Sequence, residues 1–296
     1  MIWYNGRVIK PEELPGEIST SGVHVYEGVR SHLAQGRPAL FRFYDHMARF
    51  YHSASASGLY IPFTEEEILE GIRNLFREKG LSQAYIRLET ISARDKTQPA
   101  SVIINAEERA FFYQEEATTK GRDVEEEGIE AMIYPLNKRT LAQHSLAQVK
   151  GSRGISSFYI GQMARGQGYA TALLLYEDNW VGEAAEANIF WANEGVLYTP
   201  PRYAPILLGI TRDTVIKLAQ DNGIALREDN INAEEIINVE EIFLTGTATG
   251  IIPVVKVGDK EITLGQSGPL TRRIQRLYRE CCQGLLPPSH SWLTCL

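Results

Sequence analysis

Apolar and polar positions in the early chain switch between a two-residue period and a helical one. Residues 1–10 alternate around Asn5-Gly6, a dipeptide suited to the positive-φ turn of a tight hairpin. A strand-like stretch follows from Ser19 to Arg30, S-T-S-G-V-H-V-Y-E-G-V-R, and then a second one broken at Gly36-Arg37-Pro38. From Leu40 to Ala54 the period lengthens. Met47, Phe50, Tyr51 and Ala54 recur three or four apart, which predicts a helix with one apolar face. Thr64-Glu65-Glu66-Glu67 is a capping box; the helix it opens carries Ile68, Leu69, Ile72, Leu75 and Phe76 on one face and ends at Gly80. Then come A-Y-I-R-L-E-T-I (84–91), which alternates, S-V-I-I-N-A (101–106) and A-F-F-Y-Q (110–114), both rich in β-formers, and G-I-E-A-M-I-Y-P (128–135). The pattern predicts a β-rich first half with two helices.

The polar segment 136–145 reads as a linker, so the expected division is a small α+β domain over 1–137, a linker at 138–146 and a larger domain over 147–296. In that second part, 155–166 is patterned as a helix and T-A-L-L-L-Y (171–176) as a buried strand. Ile189-Phe190-Trp191 and Val196-Leu197-Tyr198 flank the turn Asn193-Glu194-Gly195, which predicts a hairpin ended by Pro200-Pro201. A helix opens near Thr211 and closes at Gly223, short strands and a helix lead to E-I-F-L-T-G-T-A-T-G-I-I-P-V (241–254), and a last helix begins near Pro269. The tail P-P-S-H-S-W-L-T-C-L is weakly structured unless it docks.

At 296 residues, 44% hydrophobic and 23% charged, the chain has the profile of an ordinary soluble globular protein. A net charge of −7 disfavours a nucleic-acid partner, and no apolar run is long enough to span a bilayer as a helix. Cys281, Cys282 and Cys295 lack metal-ligand spacing, so no metal is expected; they read as free thiols of a reducing cytoplasm.

Candidate chemistry concentrates in a few places. Glu183 and Glu186 lie among alanines and run straight into the apolar hairpin, so at least one is expected at a buried edge with a partner. Lys150, one of nine lysines, sits in V-K-G-S-R-G among residues small enough to admit a flat ring. Gly209-Ile210-Thr211 at a helix start offers unsatisfied N–H groups to an anion, and Thr245-Gly246-Thr247 is a second loop of small hydroxyl residues. Tyr85 and Arg87 share one face of their strand.

The stretch G-E-A-A-E-A-N-I-F-W resembles the E-x-x-x-x-N-(I/L/V)-F signature of the class IV aminotransferases, the fold-type IV pyridoxal-phosphate (PLP) enzymes. The resemblance runs from Trp3-Tyr4-Asn5-Gly6 to about Tyr278, with the pieces in the family's order. It implies a two-domain α/β (α+β) fold with the active site between domains, and PLP as cofactor. It further implies that Lys150 is the Schiff-base lysine, that Glu183 contacts the pyridine nitrogen, and that Arg49, Ile210, Thr211 and Thr247 bind the phosphate. V-Y-E-G-V-R and Y-I-R resemble elements of branched-chain aminotransferases, which implies substrate contacts from Tyr26, Gly28, Arg30, Tyr85, Arg87 and Ala248. Amino acids and 2-oxoacids are then the small-molecule partners, and a homodimer the assembly. The expected reaction moves the amino group of a branched-chain L-amino acid to 2-oxoglutarate. Ile155, where branched-chain enzymes usually carry a tyrosine, a shorter spacing to Gly168-Tyr169, and Ser21 in place of an aromatic residue depart from that pattern. The first two favour a D-amino-acid or (R)-amine transaminase. An aminodeoxychorismate lyase and a PLP-binding protein without turnover are the remaining alternatives.

Overall fold

The structure, a computed structural model, describes residues 1–14, 24–92, 98–114, 123–139, 147–151, 155–287 and 291–296, without the side chains of 135–139, 155 and 156. Ser21, the linker segment 140–146 and the Ile155 side chain lie outside what it describes. The chain forms two compact units: Met1–Arg109 with Val149–Arg153 and Glu280–Leu296, and Ala110–Gln148 with Gly154–Arg279.

The first unit is built on a seven-stranded sheet. Asn5 and Gly6, both at positive φ, turn β1 (Ile2–Tyr4) into β2 (Arg7–Ile9) as the alternation predicts. The other strands are β3 (His24–Ala34), β4 (Arg37–Phe41), β5 (Tyr85–Ile91), β6 (Ser101–Glu107) and, from the C-terminal tail, β16 (Leu293–Cys295); their order is β16-β4-β3-β5-β6-β1-β2. The tail therefore docks, antiparallel on β4. Helices α1 (Phe43–Ala56) and α2 (Glu65–Lys79) cover one sheet face. Thr64 and Glu67 form the predicted capping box, and Gly80 ends α2 in the left-handed region at φ 63°. Val25, Val29, Ile86, Leu88, Val102 and Ile104 pack from alternate strand positions against Phe43, Met47, Phe50, Ile68, Ile72 and Leu75. Burying such side chains gives about 1.5–3 kcal/mol each, so this layer dominates the unit's stability.

The second unit wraps a sheet of β7 (Ile129–Arg139), β8 (Thr171–Tyr176), β9 (Val181–Ala184), β10 (Asn188–Asn193), β11 (Val196–Thr199), β12 (Leu226–Glu228), β13 (Glu241–Gly246), β14 (Gly250–Val257) and β15 (Lys260–Glu261). The path β10-β13-β14-β7-β8-β9 closes on itself where Glu183 pairs with Asn188. Closure removes free edges. Helices α3 (Val124–Glu127), α4 (Ile155–Gly166), α5 (Ile210–Asp221) and most of α6 (Pro269–Cys282) accompany it.

Three expectations change. Residues 112–114 form a helical turn rather than a strand, because Phe112 donates its N–H to Ala248 O at 2.7 Å and has no strand partner. The strand at 128–135 belongs to the second sheet, in parallel with β8 and β14, and so does not close the first half. The units consequently differ from the expected boundary at 137, and Lys150 falls in the first unit.

Inside the second unit, Glu241 on β13 caps α6. Its carboxylate accepts the Leu270 and Thr271 N–H groups at 2.9 and 2.7 Å and the Thr271 hydroxyl at 2.7 Å, and it is 5% exposed. Charge-assisted bonds to a helix start are among the stronger single contacts. Glu241→Ala is expected to lower the free energy of unfolding by about 2–4 kcal/mol in chemical denaturation, against less than about 0.5 kcal/mol for the exposed neighbour Glu240→Ala.

Candidate active site

Lys150 reaches its place through the edge of β3. Beyond the reach of β4, that edge is filled by Lys150 and Gly151: Tyr26 N–H donates to Lys150 O at 3.1 Å, and Val25 pairs with Gly151. A Cβ on Gly151 would stand 2.7 Å from His24 O, so only glycine permits this approach. The Lys150 N–H donates to Ser53 Oγ on α1 at 3.1 Å. Lys150 Nζ stands 5.1 Å from the centre of the Tyr26 ring.

Strand alternation splits the residues around it into two sets. Val25, Glu27 and Val29 of β3 face α1, whereas Tyr26, Gly28 and Arg30 face the other way. Antiparallel register sets Tyr26 opposite Glu89, Gly28 opposite Arg87 and Arg30 opposite Tyr85. Five of the six residues implied as substrate contacts therefore share one sheet face. Gly28 leaves room for Tyr85, whose hydroxyl would lie 2.0 Å from a Cβ there. Arg30 lies over the Tyr85 ring at 5.6 Å and donates to Arg109 O at 2.7 Å. Arg87 lies over the Tyr26 ring at 4.7 Å and donates through Nε to Glu89 Oε1 at 2.9 Å. His24 Nε2 is 3.1 Å from that same oxygen, an ion-pair distance that lacks hydrogen-bond geometry. The contact with His24, together with Arg87 and against partial burial, draws the Glu89 carboxyl down to about 2.

The opposite face brings Arg49 against two residues that the sequence did not single out, Glu27 and His46. Glu27, fully buried, takes a two-pronged contact from Arg49 (Nε to Oε2 2.8 Å, Nη2 to Oε1 2.7 Å). His46 Nδ1 lies 3.1 Å from Glu27 Oε1. Burial pushes the Glu27 carboxyl up, but Arg49 and His46 outweigh it and hold the group well below the usual carboxylate range. Burial also lowers His46, so the ring is neutral at pH 7 and carries its proton on Nδ1, facing the carboxylate. His46, Arg49 and Ser53 recur at helical spacing on α1, a spacing that would have revealed the shared face.

In the second unit the E-x-x-x-x-N spacing has a geometric cause. Glu183 and Asn188 are cross-strand partners where the sheet closes, joined by a turn in which Ala184 N–H donates to Ala187 O at 2.7 Å. Glu183 Oε2 accepts Leu207 N–H at 3.0 Å, and the Asn188 amide donates to Leu207 O at 2.7 Å. The pair thus fixes the chain two residues before Gly209, the N-cap of α5. A Cβ on Gly209 would lie 2.0 Å from Asn188 Oδ1. Gly209 brings no side-chain cap, which leaves the first-turn N–H groups of Ile210 and Thr211 to an outside acceptor. Nearby on β13, Thr245 Oγ1 is buried without a hydrogen-bond partner among the described residues. Thr247 and Ala248 follow in the β13–β14 turn. Glu186 is engaged elsewhere: Arg165 at 2.8 Å, Thr171 at 2.8 Å and Tyr113 at 3.3 Å all donate to it.

In the first unit a lysine amine suits an aldehyde, and in the second a buried carboxylate, uncapped helix N–H groups and an orphaned hydroxyl suit a protonated ring nitrogen and a phosphate. The chain belongs to the class IV amino-transferases, whose family model matches residues 24–257. It has the fold-type IV architecture and is an aminotransferase. It is 31% identical over 300 residues to the branched-chain-amino-acid aminotransferase of Escherichia coli (strain K12), covering 99% of this chain and 96% of that protein. It is 27% identical over 279 residues to the D-alanine aminotransferase of Bacillus licheniformis, covering 93% and 94%. The crystal structure of the branched-chain aminotransferase from the thermophilic archaeon Thermoproteus uzoniensis with norvaline superposes with a TM-score of 0.88 at 31% identity, covering 99% of this chain and 98% of that one. Among the described residues no helix is long and apolar enough to cross a membrane.

The buried Glu27–Arg49 pair makes a quantitative expectation. Removing one partner of such a pair costs about 3–5 kcal/mol, so Glu27→Gln should destabilise the protein by that order at pH 7. The Glu27 carboxyl is depressed on folding, so its contribution is full above the unfolded value of about 4.3 and declines as pH falls below it. Denaturation curves of wild type and Glu27→Gln should converge progressively below about pH 4.3; a gap independent of pH would contradict the ionic account.

Proposed function

We propose that the protein is a PLP-dependent transaminase that moves the amino group of a branched-chain L-amino acid to 2-oxoglutarate. The observation that carries this reading is the shared face of β3 and β5, which carries Tyr26, Arg30, Tyr85 and Arg87 and has Lys150 Nζ at its Tyr26 end. In this reading the cofactor supplies the electron sink that makes a substrate Cα proton acidic. Lys150 would hold its aldehyde, and the free amine of the same residue would move a proton at the substrate Cα. Glu183 holds a proton on the ring nitrogen by placing a fixed negative charge beside it. Ile210, Thr211 and Thr247 hold the phosphate, with Arg49 supplying permanent positive charge set by Glu27. Arg87 receives the side-chain carboxylate of glutamate or 2-oxoglutarate; Tyr26, Gly28, Arg30, Tyr85 and Ala248 shape the rest of the substrate site.

The assembly we infer is a homodimer of the cytoplasm. Phe158, Tyr159 and Met163 on α4 are about half exposed or more and form an apolar surface of the kind a second copy covers.

The rival within the family is a D-amino-acid or (R)-amine transaminase, favoured by Ile155 and the short spacing after Lys150. A donor panel with 2-oxoglutarate as acceptor separates the two. L-leucine is expected to be consumed at least about 100-fold more efficiently than D-alanine or (R)-1-phenylethylamine, a selectivity of about 2.7 kcal/mol. Preference for either of the latter would replace this reading with the rival.

A further inference from the structure

A transaminase of this kind must seat an apolar side chain in one half-reaction and a carboxylate in the other, at one place. Arg87 suits the carboxylate. Against an apolar side chain the same guanidinium would be a charge losing water without gaining a partner, which is costly. The structure provides a partner. Glu89, two residues along the same face of β5, accepts Arg87 Nε at 2.9 Å. We infer that Glu89 is the resident counter-ion of Arg87, displaced by an incoming dicarboxylate, and that it sets the balance between apolar and dicarboxylate substrates. The inference rests on the proposed reading that this face binds the substrate side chain.

Two features make exchange feasible. The Arg87 and Glu89 side chains are 43% and 26% exposed, and ion pairs in contact with water are weak, so a second carboxylate can replace the first. Glu89 also keeps a partner when Arg87 turns away. His24, directly across the sheet from Ile91 and on the same face, holds Nε2 3.1 Å from Glu89 Oε1 without a satisfied hydrogen bond. A small shift of Glu89 toward His24 completes that bond while Arg87 takes the substrate. Of the further cations on this face, Lys150 stands at the Tyr26 ring, while Arg30 is tied to Arg109 O and lies over Tyr85 at the far end of the register.

The test uses the PLP-loaded holoenzyme and two unreactive acids, glutarate and 4-methylpentanoate, titrated to equilibrium by the cofactor's absorbance. Glu89→Gln should tighten glutarate by about fivefold, the factor corresponding to about 1 kcal/mol, and weaken 4-methylpentanoate. In an Arg87→Ala background the same substitution should change neither affinity. Arg87→Ala alone should weaken glutarate selectively. If it does, while Glu89→Gln leaves the ratio of the two affinities unchanged or lowers it, the counter-ion role is overturned and the substrate face stands. If Arg87→Ala weakens both acids equally, the underlying placement of the dicarboxylate fails and the inference with it. Should Glu89→Gln lose the wild-type melting temperature, Glu89→Asp reads out in the same titration: its shorter carboxylate should also raise the glutarate preference, and an unchanged preference counts against the proposal.

Discussion

A carboxylate wholly removed from water has to be neutralised on the spot, and Glu27 imposes that demand on the first unit. Its two oxygens are met by Arg49 and His46, so α1 can pack on β3 in only one rotation. The same helix face then brings Ser53 to the Lys150 N–H, and the unfilled edge of β3 receives Lys150 and Gly151. The lysine backbone is thereby held from two sides by elements whose mutual placement Glu27 decides. Apolar packing of Val25 and Val29 against Phe43, Met47 and Phe50 supplies most of the free energy, but it tolerates small rotations that the bidentate contact does not.

The second unit answers a different constraint: a sheet that closes needs a last pair of strands to meet. They meet at Glu183 and Asn188, whose side chains both bond the Leu207 backbone while the Asn188 amide also donates to Glu183 Oε2 at 3.5 Å. Closure and the uncapped start of α5 are thus one piece of construction. Gly209 is required because Asn188 occupies the space a side chain would need. Glu186, three residues from Glu183, stabilises the fold through Arg165, Thr171 and Tyr113. Two similar glutamates in one short segment therefore carry different work.

Local signals made much of this legible. Asn5-Gly6, the Thr64–Glu67 capping box, and the hairpin around Asn193-Glu194-Gly195 are short-range rules, and each element formed where its residues require. Period-two alternation placed Tyr85 and Arg87 on one face. What could not be read were choices made by distant partners. The strand at 129–139 is buried between parallel neighbours, and its apolar run is the same whichever sheet receives it. Residues 112–114 are β-formers by composition, yet a backbone bond to Ala248 and the contact of Tyr113 with Glu186 draw them into a helical turn. Glu27 was visible only as part of V-Y-E-G-V-R, because its burial depends on α1. Glu89 is the next residue on the face of Tyr85 and Arg87; its importance appears only once His24 and Arg87 are seen around it.

The amine that meets the cofactor fixes where the active site lies. The protein reconstituted with PLP, reduced with borohydride and digested for peptide mapping is predicted to carry a single pyridoxyl group, on Lys150. The same label on any other lysine, Lys217 or Lys256 for example, would contradict the placement of the active site at the edge of β3.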